Sequence, residues 1–443
     1  MNFKRKIYDK LVDWKETSNG RTALMIEGAR RVGKSTVAEE FAKNEYSSYI
    51  IVDFYKASPE IKGLFEDLSD LNYIFLQLQL QYQVSLEERK SLIIFDEVQL
   101  CPKARSAIKA LVEDGRYDYL ETGSLISIKK NVDGILIPSE ERKIQMFPMD
   151  YEEFRWALGD TVSVPMIKSF FDSKRPLGQA AHRKIMRDFR LYMLVGGMPQ
   201  AVKRYIETND LSKVDSVKRD ILTLYEDDFR KIDPTGKISL LFDAIPAQLM
   251  KNASRYNVSS VVSGGRATDL LEQIAGMADS KTVLVSYHAN DPSAGLAQNK
   301  DLHKFKMFMA DTGLFITLAF MDRDFTDNDI YRKLLNDKLQ TNLGYIYENV
   351  VAQTLTACGH GLFYYTFLNE ASRHNYEIDF CIADKSKINP IEVKSSGYTK
   401  HSSIDAFNKK YSSRINKKYL LYTKDYKKDG DLECLPIYMA QFL

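Results

Sequence analysis

The sequence of 443 residues predicts an α/β fold organised around a parallel β-sheet. Between residues 23 and 124, short apolar stretches alternate with helical segments, as expected for strands that helices cover on both faces. A glycine-rich loop lies between the first apolar stretch and a helix, and a later apolar stretch ends in two adjacent carboxylates. Together these three observations predict a parallel-sheet domain in the N-terminal third of the chain.

The elements of this N-terminal part can be followed in order. Residues 1–20 are predicted to form an amphipathic helix that ends at Asn19-Gly20, a helix-stop signal. Four strands are predicted after it, in the stretches ALMIEG, YIIVDF, LIIFDE and YDYLETGS. The third stretch is continuously apolar before its acidic end, which is typical of a strand buried on both faces.

The rest of the chain divides into three predicted segments. Residues 151–235 are mostly helical in pattern, because the strand signals fade after Phe147-Pro148. Residues 236–330 combine short helices with polar turns, and residues 269–288 are expected to hold one helix and the start of a wing. Residues 331–443 are rich in strands, in the stretches FYYTF, YEIDFCIA, PIEVKS and KYLLYT, with helices at 344–358 and 403–411.

Composition excludes several classes of protein. Lys and Arg number 62 against 60 Asp and Glu, so the net charge of +2 does not predict nucleic-acid or membrane binding by the whole chain. The longest apolar stretch, 307–321, is interrupted by Asp311 and Thr312 and is too short to span a bilayer. No apolar run follows the basic N-terminus, and the four cysteines lack CxxC spacing. We therefore expect a cytoplasmic protein with reduced thiols and no membrane partner.

The glycine-rich loop, GARRVGKS at residues 28–35, fits the phosphate-binding pattern GxxxxGK[ST] at every fixed position. Its glycines allow backbone N–H groups to point at phosphate oxygens, and the following helix adds its positive N-terminal end. Lys34 would reach the β- and γ-phosphates and Ser35 would bind Mg²⁺. The alternative is a chance match in an ordinary loop. The predicted ATP-binding residues of this loop are Gly28, Arg30, Arg31, Val32, Gly33, Lys34, Ser35 and Thr36.

The acidic end of the third strand is the second part of this predicted site. Asp96 is expected to hold Mg²⁺ with Ser35, and Glu97 to activate the attacking water as a general base. Ser124, in the turn after the fourth strand, is expected to offer a hydroxyl to the γ-phosphate. Arg116 and Arg142 are candidates for an arginine finger. The alternative for the carboxylates is a solvated strand end.

Longer motifs connect these residues to a known family. They read GARRVGKST, IIFDEVQ, ETGS, FPMDYEEF, YMLVGGMPQAV, KMFMADTGL, GYIYENVVAQTL, EIDFCIA, PIEVKS and LPIYMAQFL. In them the chain resembles prokaryotic AAA+-type ATPases whose C-terminal part is a domain of unknown function with a nuclease-like motif. The resemblance implies a P-loop ATPase core (1–150), a helical lid (151–235), a winged-helix module (236–330) and a C-terminal restriction-endonuclease-like α/β domain (331–443).

Two residues depart from the pattern of that family. It often has Gly-Arg after its fifth core strand, where this chain has Glu141-Arg142. It usually has an apolar or β-branched residue where this chain has Glu121. The first departure bears on whether Arg142 contacts the γ-phosphate as a sensor residue. The second bears on the role of the hydroxyl in the turn after the fourth predicted strand.

A second group of carboxylates lies near the C-terminus. Glu392 and Lys394 are two residues apart, so they point to the same face of a strand, and Asp379 lies on a neighbouring strand-like stretch. Asp379 and Glu392 are expected to share a second Mg²⁺ or an Mn²⁺, with Lys394 acting at the phosphate. Glu348, on the preceding helix, is expected to complete the site. This is the D…ExK pattern of PD-(D/E)XK nucleases, although a chance match or a non-cutting binding platform fits the same residues.

Local charge favours a polyanionic partner. Residues 385–428 contain twelve Lys or Arg and three Asp or Glu, with five interleaved tyrosines. Such a surface could bind DNA or RNA, whereas a sheet core with a solvated face explains it equally well. The leading hypothesis is a Mg-dependent ATPase that couples hydrolysis to a nucleic-acid-interacting C-terminal module. The alternatives are an ATP-regulated metal-dependent nuclease, or a non-catalytic nucleotide-gated regulator that binds nucleic acid, a protein partner or its own copies.

Overall fold

The structure, a computed structural model, describes residues 2–123, 139–251, 253–321, 329–336, 344–370, 375–395 and 401–443. It separates into two compact units. The N-terminal unit consists of residues 1–147 with 279–281, and the C-terminal unit consists of residues 148–278 and 282–443. Ser124, one of the predicted ATP-binding residues, lies outside the described residues.

The N-terminal unit contains the predicted parallel sheet. Its five strands stand in the order β2-β3-β4-β1-β5, and every pairing is parallel. The four predicted strands are confirmed, and the fifth pairs with β1 at the edge of the sheet. The strands are β1 (Ala23–Glu27), β2 (Ser48–Asp53), β3 (Ser91–Asp96), β4 (Asp118–Gly123) and β5 (Glu141–Gln145).

Helices of the N-terminal unit connect these strands and bury their apolar faces. The predicted first helix is confirmed: it ends where Asn19 takes a left-handed conformation with φ of 46°. Five helices are described here: α1 (Ile7–Ser18), α2 (Lys34–Glu45), α3 (Pro59–Gly63), α4 (Leu71–Tyr82) and α5 (Pro102–Asp114). One core cluster lies between β2, β3 and helices α3 to α5, and it includes the aromatic rings of Phe54, Phe65 and Phe95.

The C-terminal unit begins with a helical region and ends with two sheets. Its helices are Tyr151–Ala157, Ser163–Ser173, Gln179–Val195, Pro199–Thr208, Leu211–Ile232, Lys237–Asp243, Ile245–Met250, Leu271–Asp279, Thr312–Ala319, Asp329–Leu335, Gly344–Ala357 and Ser402–Tyr411. Its strands are β6 (Val283–Ala289), β7 (Lys300–Met309), β8 (Phe363–Phe367), β9 (Tyr376–Ile378), β10 (Phe380–Asp384), β11 (Lys387–Val393), β12 (Lys418–Tyr422), β13 (Lys427–Asp429) and β14 (Leu432–Pro436).

The two sheets of this unit meet at one residue. The first has the order β7-β6-β8-β9 and the second the order β10-β11-β12-β14-β13. Asp379 is the single residue between β9 and β10, so the stretch predicted as one strand passes from the first sheet to the second. The first sheet also combines strands from the segments 236–330 and 331–443, because β6 pairs in parallel with β8. The winged-helix and nuclease-like assignments are not confirmed by this topology.

Several of the motifs that carry the family resemblance converge on a buried junction. The Asp311 carboxylate accepts hydrogen bonds from the N–H groups of Gly197, at 2.5 Å, and Leu314, at 2.8 Å. A Cβ at Gly197 would overlap the carbonyl oxygen of Met149, so the backbones approach too closely for any side chain. Gln353 accepts from the backbone N–H of Thr312 at 2.8 Å. These motifs therefore form a structural joint inside the C-terminal unit.

Candidate functional site

The phosphate-binding loop stands between β1 and α2, as predicted. Gly33 has a φ of 101° and Arg31 a φ of 72°, so the loop contains two left-handed residues. A Cβ at Gly28 would overlap the carbonyl oxygen of Met146, which explains why glycine occupies that position. Helix α2 begins at Lys34, and the N–H groups of its first turn have no acceptor within the helix. The loop thus has the backbone shape and the dipole that favour an anion.

Lys34 is held inside this loop. Its Nζ donates to the carbonyl oxygens of Gly28, at 3.0 Å, and Ala29, at 3.1 Å. Burial lowers the pKa of Lys34, and the nearby carboxylates of Glu97 and Asp96 oppose this effect. A buried ammonium between loop carbonyls is placed to exchange them for phosphate oxygens.

The loop is supported by a residue that sequence reasoning did not select. Arg5 donates from Nη1 to the carbonyl oxygen of Val32, at 2.8 Å, and from Nη2 to that of Phe147, at 2.6 Å. The Val32 side chain is fully buried, so only its backbone can take part in binding. The basic N-terminus was the available signal, but a basic run does not reveal which distant carbonyl groups it reaches.

Asp96 connects three elements at the carboxyl end of the sheet. Its Oδ1 accepts from the Ser35 hydroxyl at 2.7 Å and also from the Thr122 hydroxyl. Strand β4 lies between β3 and β1, so Thr122, the residue before its last one, is close to both strands. The structure therefore places the Thr122 hydroxyl of the ETGS motif beside the acidic strand end.

Glu97 lies directly after β3 and turns the chain sharply. Its φ is 53°, and its backbone N–H lies 3.5 Å from the Thr122 hydroxyl. The side-chain amide of Gln99 donates to Glu97 Oε2, so this carboxylate is oriented by a neighbour two residues on.

The two arginine-finger candidates lie elsewhere in the N-terminal unit. Arg116 precedes β4 and is bound to Asp114 through two 2.8 Å contacts, with its guanidinium 4.6 Å from the centre of the Phe75 ring. It is at the amino end of a parallel strand whose carboxyl end faces the loop, so it cannot reach the loop's phosphate. Arg142 lies at the start of β5 and is exposed. The expectation that Glu141-Arg142 follows the fifth strand is wrong, because these residues begin it.

The unusual Glu121 belongs to a buried ionic group. Arg105 makes a two-pronged contact with Glu141 at 2.9 and 3.0 Å, and both side chains are buried. Burial, reinforced by Glu141, raises the pKa of the fully buried Glu121 well above its usual range. Glu121 therefore belongs to the buried interior of the sheet.

In the C-terminal unit, the structure brings the predicted D…ExK residues together. The antiparallel register pairs Phe380 with Ile391, which puts Asp379 beside Glu392. Asp379 Oδ2 accepts from the backbone N–H of Val393 at 2.7 Å, and Lys394 Nζ lies 2.6 Å from Glu392 Oε1. Burial raises the pKa of Glu392, while Lys394 and the N–H of Ile404 oppose the rise.

Two residues of this cluster, Lys306 and Glu377, were not predicted from the sequence. Lys306, on β7, is buried and contacts Glu377 directly and Glu348 at 3.6 Å. Burial alone would lower the pKa of Lys306, but these carboxylates raise it above its usual value. Burial also raises the pKa of Glu348 to about 7. Within the part of the chain that the structure describes, no group of three or more His, Cys, Asp or Glu side chains has the arrangement of a metal site.

Only some of the residues in the basic segment 385–428 are exposed. Tyr419, Tyr422 and Tyr426 are buried and belong to the sheet core, so the interpretation that they stack with bases is wrong for these three. Tyr398 lies outside the described residues. Lys418 is buried and paired with Asp431 at 2.5 Å. Exposed cations do remain, at Lys409, Lys410, Arg414, Lys417, Lys424, Lys427 and Lys428.

Family models match three stretches of the sequence. Residues 20–155 match an AAA domain, residues 186–324 match a domain of unknown function (DUF8612), and residues 343–439 match a domain of unknown function (DUF4143). No curated protein matches the sequence. No helix among the described residues has both the length and the apolar character needed to cross a membrane.

Three solved structures illustrate the level of structural similarity that was found. A Walker-type ATPase of Pyrococcus abyssi is 14% identical, with a TM-score of 0.42 over 72% of this chain and 96% of its own. The RuvB Holliday junction branch migration motor of Thermotoga maritima is 12% identical, with a TM-score of 0.30 over 63% and 89%. Cdc6p of Pyrobaculum aerophilum is 12% identical, with a TM-score of 0.24 over 75% and 94%. The AAA family match includes the loop and the acidic strand end described above, so the family similarity and the predicted site fall in the same stretch of the chain.

Proposed function

We propose that this protein binds Mg·ATP at the loop between β1 and α2 and hydrolyses it. The observation that carries the proposal is the 2.7 Å contact between the Ser35 hydroxyl and Asp96, which joins the phosphate-binding loop to the acidic strand end. Lys34 would neutralise phosphate charge from inside the loop. Glu97, adjacent to Asp96 and oriented by Gln99, would take the proton of the attacking water.

The residues present fit a magnesium ion. Ser35 and Asp96 offer a hydroxyl and a carboxylate oxygen, which are the hard ligands that Mg²⁺ prefers, and they already lie within contact distance of each other. When bound, the ion would supply charge neutralisation for the β- and γ-phosphate oxygens. Thr122 would keep Asp96 oriented through its hydroxyl.

Phosphate release from ATP tests this proposal. The wild type is expected to release phosphate, and Lys34→Ala is expected to lose the activity because the loop then lacks its cation. Lys43→Ala is the matched control, since Lys43 lies on the same helix but is exposed and pairs with Glu39. Equal activity in the wild type and Lys34→Ala, or none in either, would reject hydrolysis at this site. The same assay with duplex DNA, single-stranded DNA and RNA tests coupling to a nucleic-acid partner.

A second candidate function is metal-dependent cleavage of nucleic acid in the C-terminal unit. The observation that favours it is the placement of Asp379 beside Glu392 and Lys394, with Val393 N–H holding Asp379. Exposed lysines after β11 would attract the phosphate backbone. Under this proposal, ATP hydrolysis in the N-terminal unit would regulate the cleaving module.

Cleavage of DNA or RNA with Mg²⁺ or Mn²⁺ tests the second candidate. Activity that disappears in Asp379→Asn supports it, whereas cleavage that persists in that variant points to a contaminating nuclease. Binding that depends on salt but not on metal, without cleavage, favours the non-catalytic regulator instead. If no nucleic acid binds at all, a protein partner becomes the better hypothesis.

A further inference from the structure

Helix α4 of the N-terminal unit carries apolar side chains on two opposite faces. Its inner face is buried in the core cluster with residues of β2 and β3, through Ile74, Phe75 and Leu78. A surface helix normally presents polar and charged residues on the face that points away from the core. In α4, the twelve residues Leu71–Tyr82 include no charged side chain. The helix therefore lacks the charged outer face that is typical of a helix exposed to water.

The outer face of α4, defined by Tyr73, Leu76 and Leu80, is open to solvent. Tyr73 is 54% exposed, Leu76 is 52% exposed and Leu80 is 64% exposed. Their spacings of three and four residues place them next to one another along one side of the helix. Single exposed apolar residues are common on protein surfaces, whereas a contiguous row of them is typical of an interaction site. The row has the spacing with which one helix packs against another.

The segment that carries this outer face is acidic. Residues 63–88 contain five Asp or Glu and no Lys or Arg, although the whole chain has 62 Lys and Arg in 443 residues. The five carboxylates are exposed, three before α4 and two after it: Glu66, Asp67, Asp70, Glu87 and Glu88. Glu66 lies 3.5 Å from Lys103 and Glu87 lies 3.2 Å from Lys90. Arg116, which contacts the start of α4, already has an acidic partner, so negative charge remains at both ends of the helix.

The negative charge at the two ends of α4 selects among the possible partners. A nucleic acid or a membrane with anionic lipids would bring its own negative charge against these carboxylates, which is unfavourable. A second copy of this chain that paired α4 with α4 would bring two acidic surfaces together. A helix with Lys or Arg beside its apolar residues would instead be attracted at both ends. The charge distribution therefore favours a cationic amphipathic helix.

We propose that the outer face of α4 binds an amphipathic helix of another protein. The apolar residues of that helix would cover Tyr73, Leu76 and Leu80, and its Lys or Arg side chains would face the acidic residues before and after α4. Covering the outer face would give α4 the two-sided burial that its apolar composition suits. The proposed contact uses none of the residues assigned to ATP binding or to the D…ExK group, so it goes beyond the proposed function.

Binding of a model peptide to the full chain tests the proposal. The probe is a fluorescently labelled helical peptide of about 18 residues, built from Leu and Lys with the Leu residues three and four apart. A second probe has Glu in place of every Lys. Fluorescence anisotropy is expected to show that the wild type binds the Lys peptide roughly tenfold or more tightly than the Glu peptide. The difference between the two probes should shrink as salt is added, because salt screens the charges.

Two double variants test which part of the surface is responsible. Leu76→Gln with Leu80→Gln is expected to weaken binding of the Lys peptide roughly tenfold or more, because the apolar contact is lost. Asp67→Asn with Glu88→Gln is expected to weaken it roughly threefold and to reduce its salt dependence. Leu302→Gln is the matched control, since Leu302 is a 44% exposed apolar residue on β7 of the other unit and should leave binding unchanged.

Several outcomes would overturn the proposal. They are equal affinity for the two peptides, no binding of either peptide, and unchanged binding in Leu76→Gln with Leu80→Gln. Self-association of the wild type in sedimentation equilibrium, lost in that variant, would assign the outer face to a second copy of this chain. Binding to phosphatidylcholine vesicles, lost in that variant, would assign it to a membrane. If that variant does not fold, as judged by its thermal unfolding, Asp67→Asn with Glu88→Gln decides the question, because these exposed positions lie outside the helix.

Discussion

At the scale of single residues, Asp96 is the centre of the proposed ATP site. One of its oxygens accepts hydrogen bonds from hydroxyls on two other elements, Ser35 at the start of α2 and Thr122 at the end of β4. Hydrogen bonds to a charged acceptor contribute about 1.5–3 kcal/mol, so these contacts fix the carboxylate relative to the loop. The next residue, Glu97, is the one that we propose to act on water.

Glu97→Gln is expected to separate binding from hydrolysis. The amide keeps the size of the side chain but cannot accept a proton, so turnover should fall roughly 100-fold or more while ATP still binds. Phosphate release and binding of a fluorescent ATP analogue measure the two effects. Glu87→Gln, an exposed residue paired with Lys90, is the control. Unchanged turnover in Glu97→Gln would show that another group is the base.

Glu348 is expected to make stability depend on pH. Its pKa is raised from 4.5 to about 7 in the folded protein, mainly by burial. Between these values the folded state binds more protons than the unfolded state, so the free energy of unfolding falls as pH rises from 4.5 to about 7. Glu348→Gln removes this dependence, and its stability relative to the wild type should improve by up to about 3 kcal/mol across that window. Urea unfolding in EDTA at pH 5 and pH 8 measures the change, and a difference that does not vary with pH would contradict the assignment.

At the scale of elements, the glycine pair after helix Gln179–Val195 is a packing requirement. A Cβ at Gly197 would lie 2.7 Å from the backbone nitrogen of Met149 and would overlap its carbonyl oxygen. The Gly197 and Met149 segments cannot separate without breaking the 2.7 Å hydrogen bond from the Met149 N–H to the Gly197 carbonyl oxygen.

Gly197→Ala is therefore expected to destabilise the C-terminal unit by about 3 kcal/mol or more, the range of severe overpacking. Differential scanning calorimetry should show a lower transition for this unit. Gly276→Ala is the matched control, because Gly276 lies in a helix with open space around it, and alanine there should be neutral or stabilising. A Gly197→Ala protein as stable as the wild type would show that the joint can open without cost.

The strands also show how much of the secondary structure could be predicted from the sequence. Local apolar patterns predicted β1 to β4 because each contains a short run of mainly apolar residues, and they predicted β8, β11 and β12 for the same reason. The stretch YEIDFCIA was predicted as one strand, whereas Asp379 divides it between two sheets. Such a break depends on which strands pair, and pairing between β6 and β8 joins residues far apart in the chain. The periodicity of a short stretch of sequence does not show which distant strand it will pair with.

The residues of the candidate sites also fall into those that local sequence predicts and those that only the fold reveals. Lys34, Ser35 and Asp96 were predictable because the loop motif and a strand end are local signals. Arg5 and Lys306 were not, since each acts through contacts with residues distant in sequence. A buried lysine on a strand looks like any other charged residue until the fold shows which carboxylates surround it.

At the scale of the whole molecule, the chain combines a stretch that matches an AAA domain with stretches that match domains of unknown function. The proposed ATP site and the carboxylate–lysine cluster lie in different units. Each site has its own polar contacts within its unit, so we expect a substitution in one to leave the local structure of the other unchanged. Any effect of one site on the other must then come from coupling between the units.

Because the two sites lie in different units, we expect a substitution in one site to have little direct effect on the other. Asp379→Asn should leave phosphate release by the free protein within about twofold of the wild type, because no ligand of the ATP site is altered. Lys34→Ala should leave Mn²⁺ binding at Asp379 unchanged, but should abolish any effect of ATP on nucleic-acid binding or cleavage. The measurements are ATP turnover in the first variant, and Mn²⁺ titration with nucleic-acid binding, with and without ATP, in the second. An ATP effect that survives Lys34→Ala would mean that nucleotide acts outside the loop between β1 and α2. An ATP effect absent even from the wild type would mean that the two units work separately.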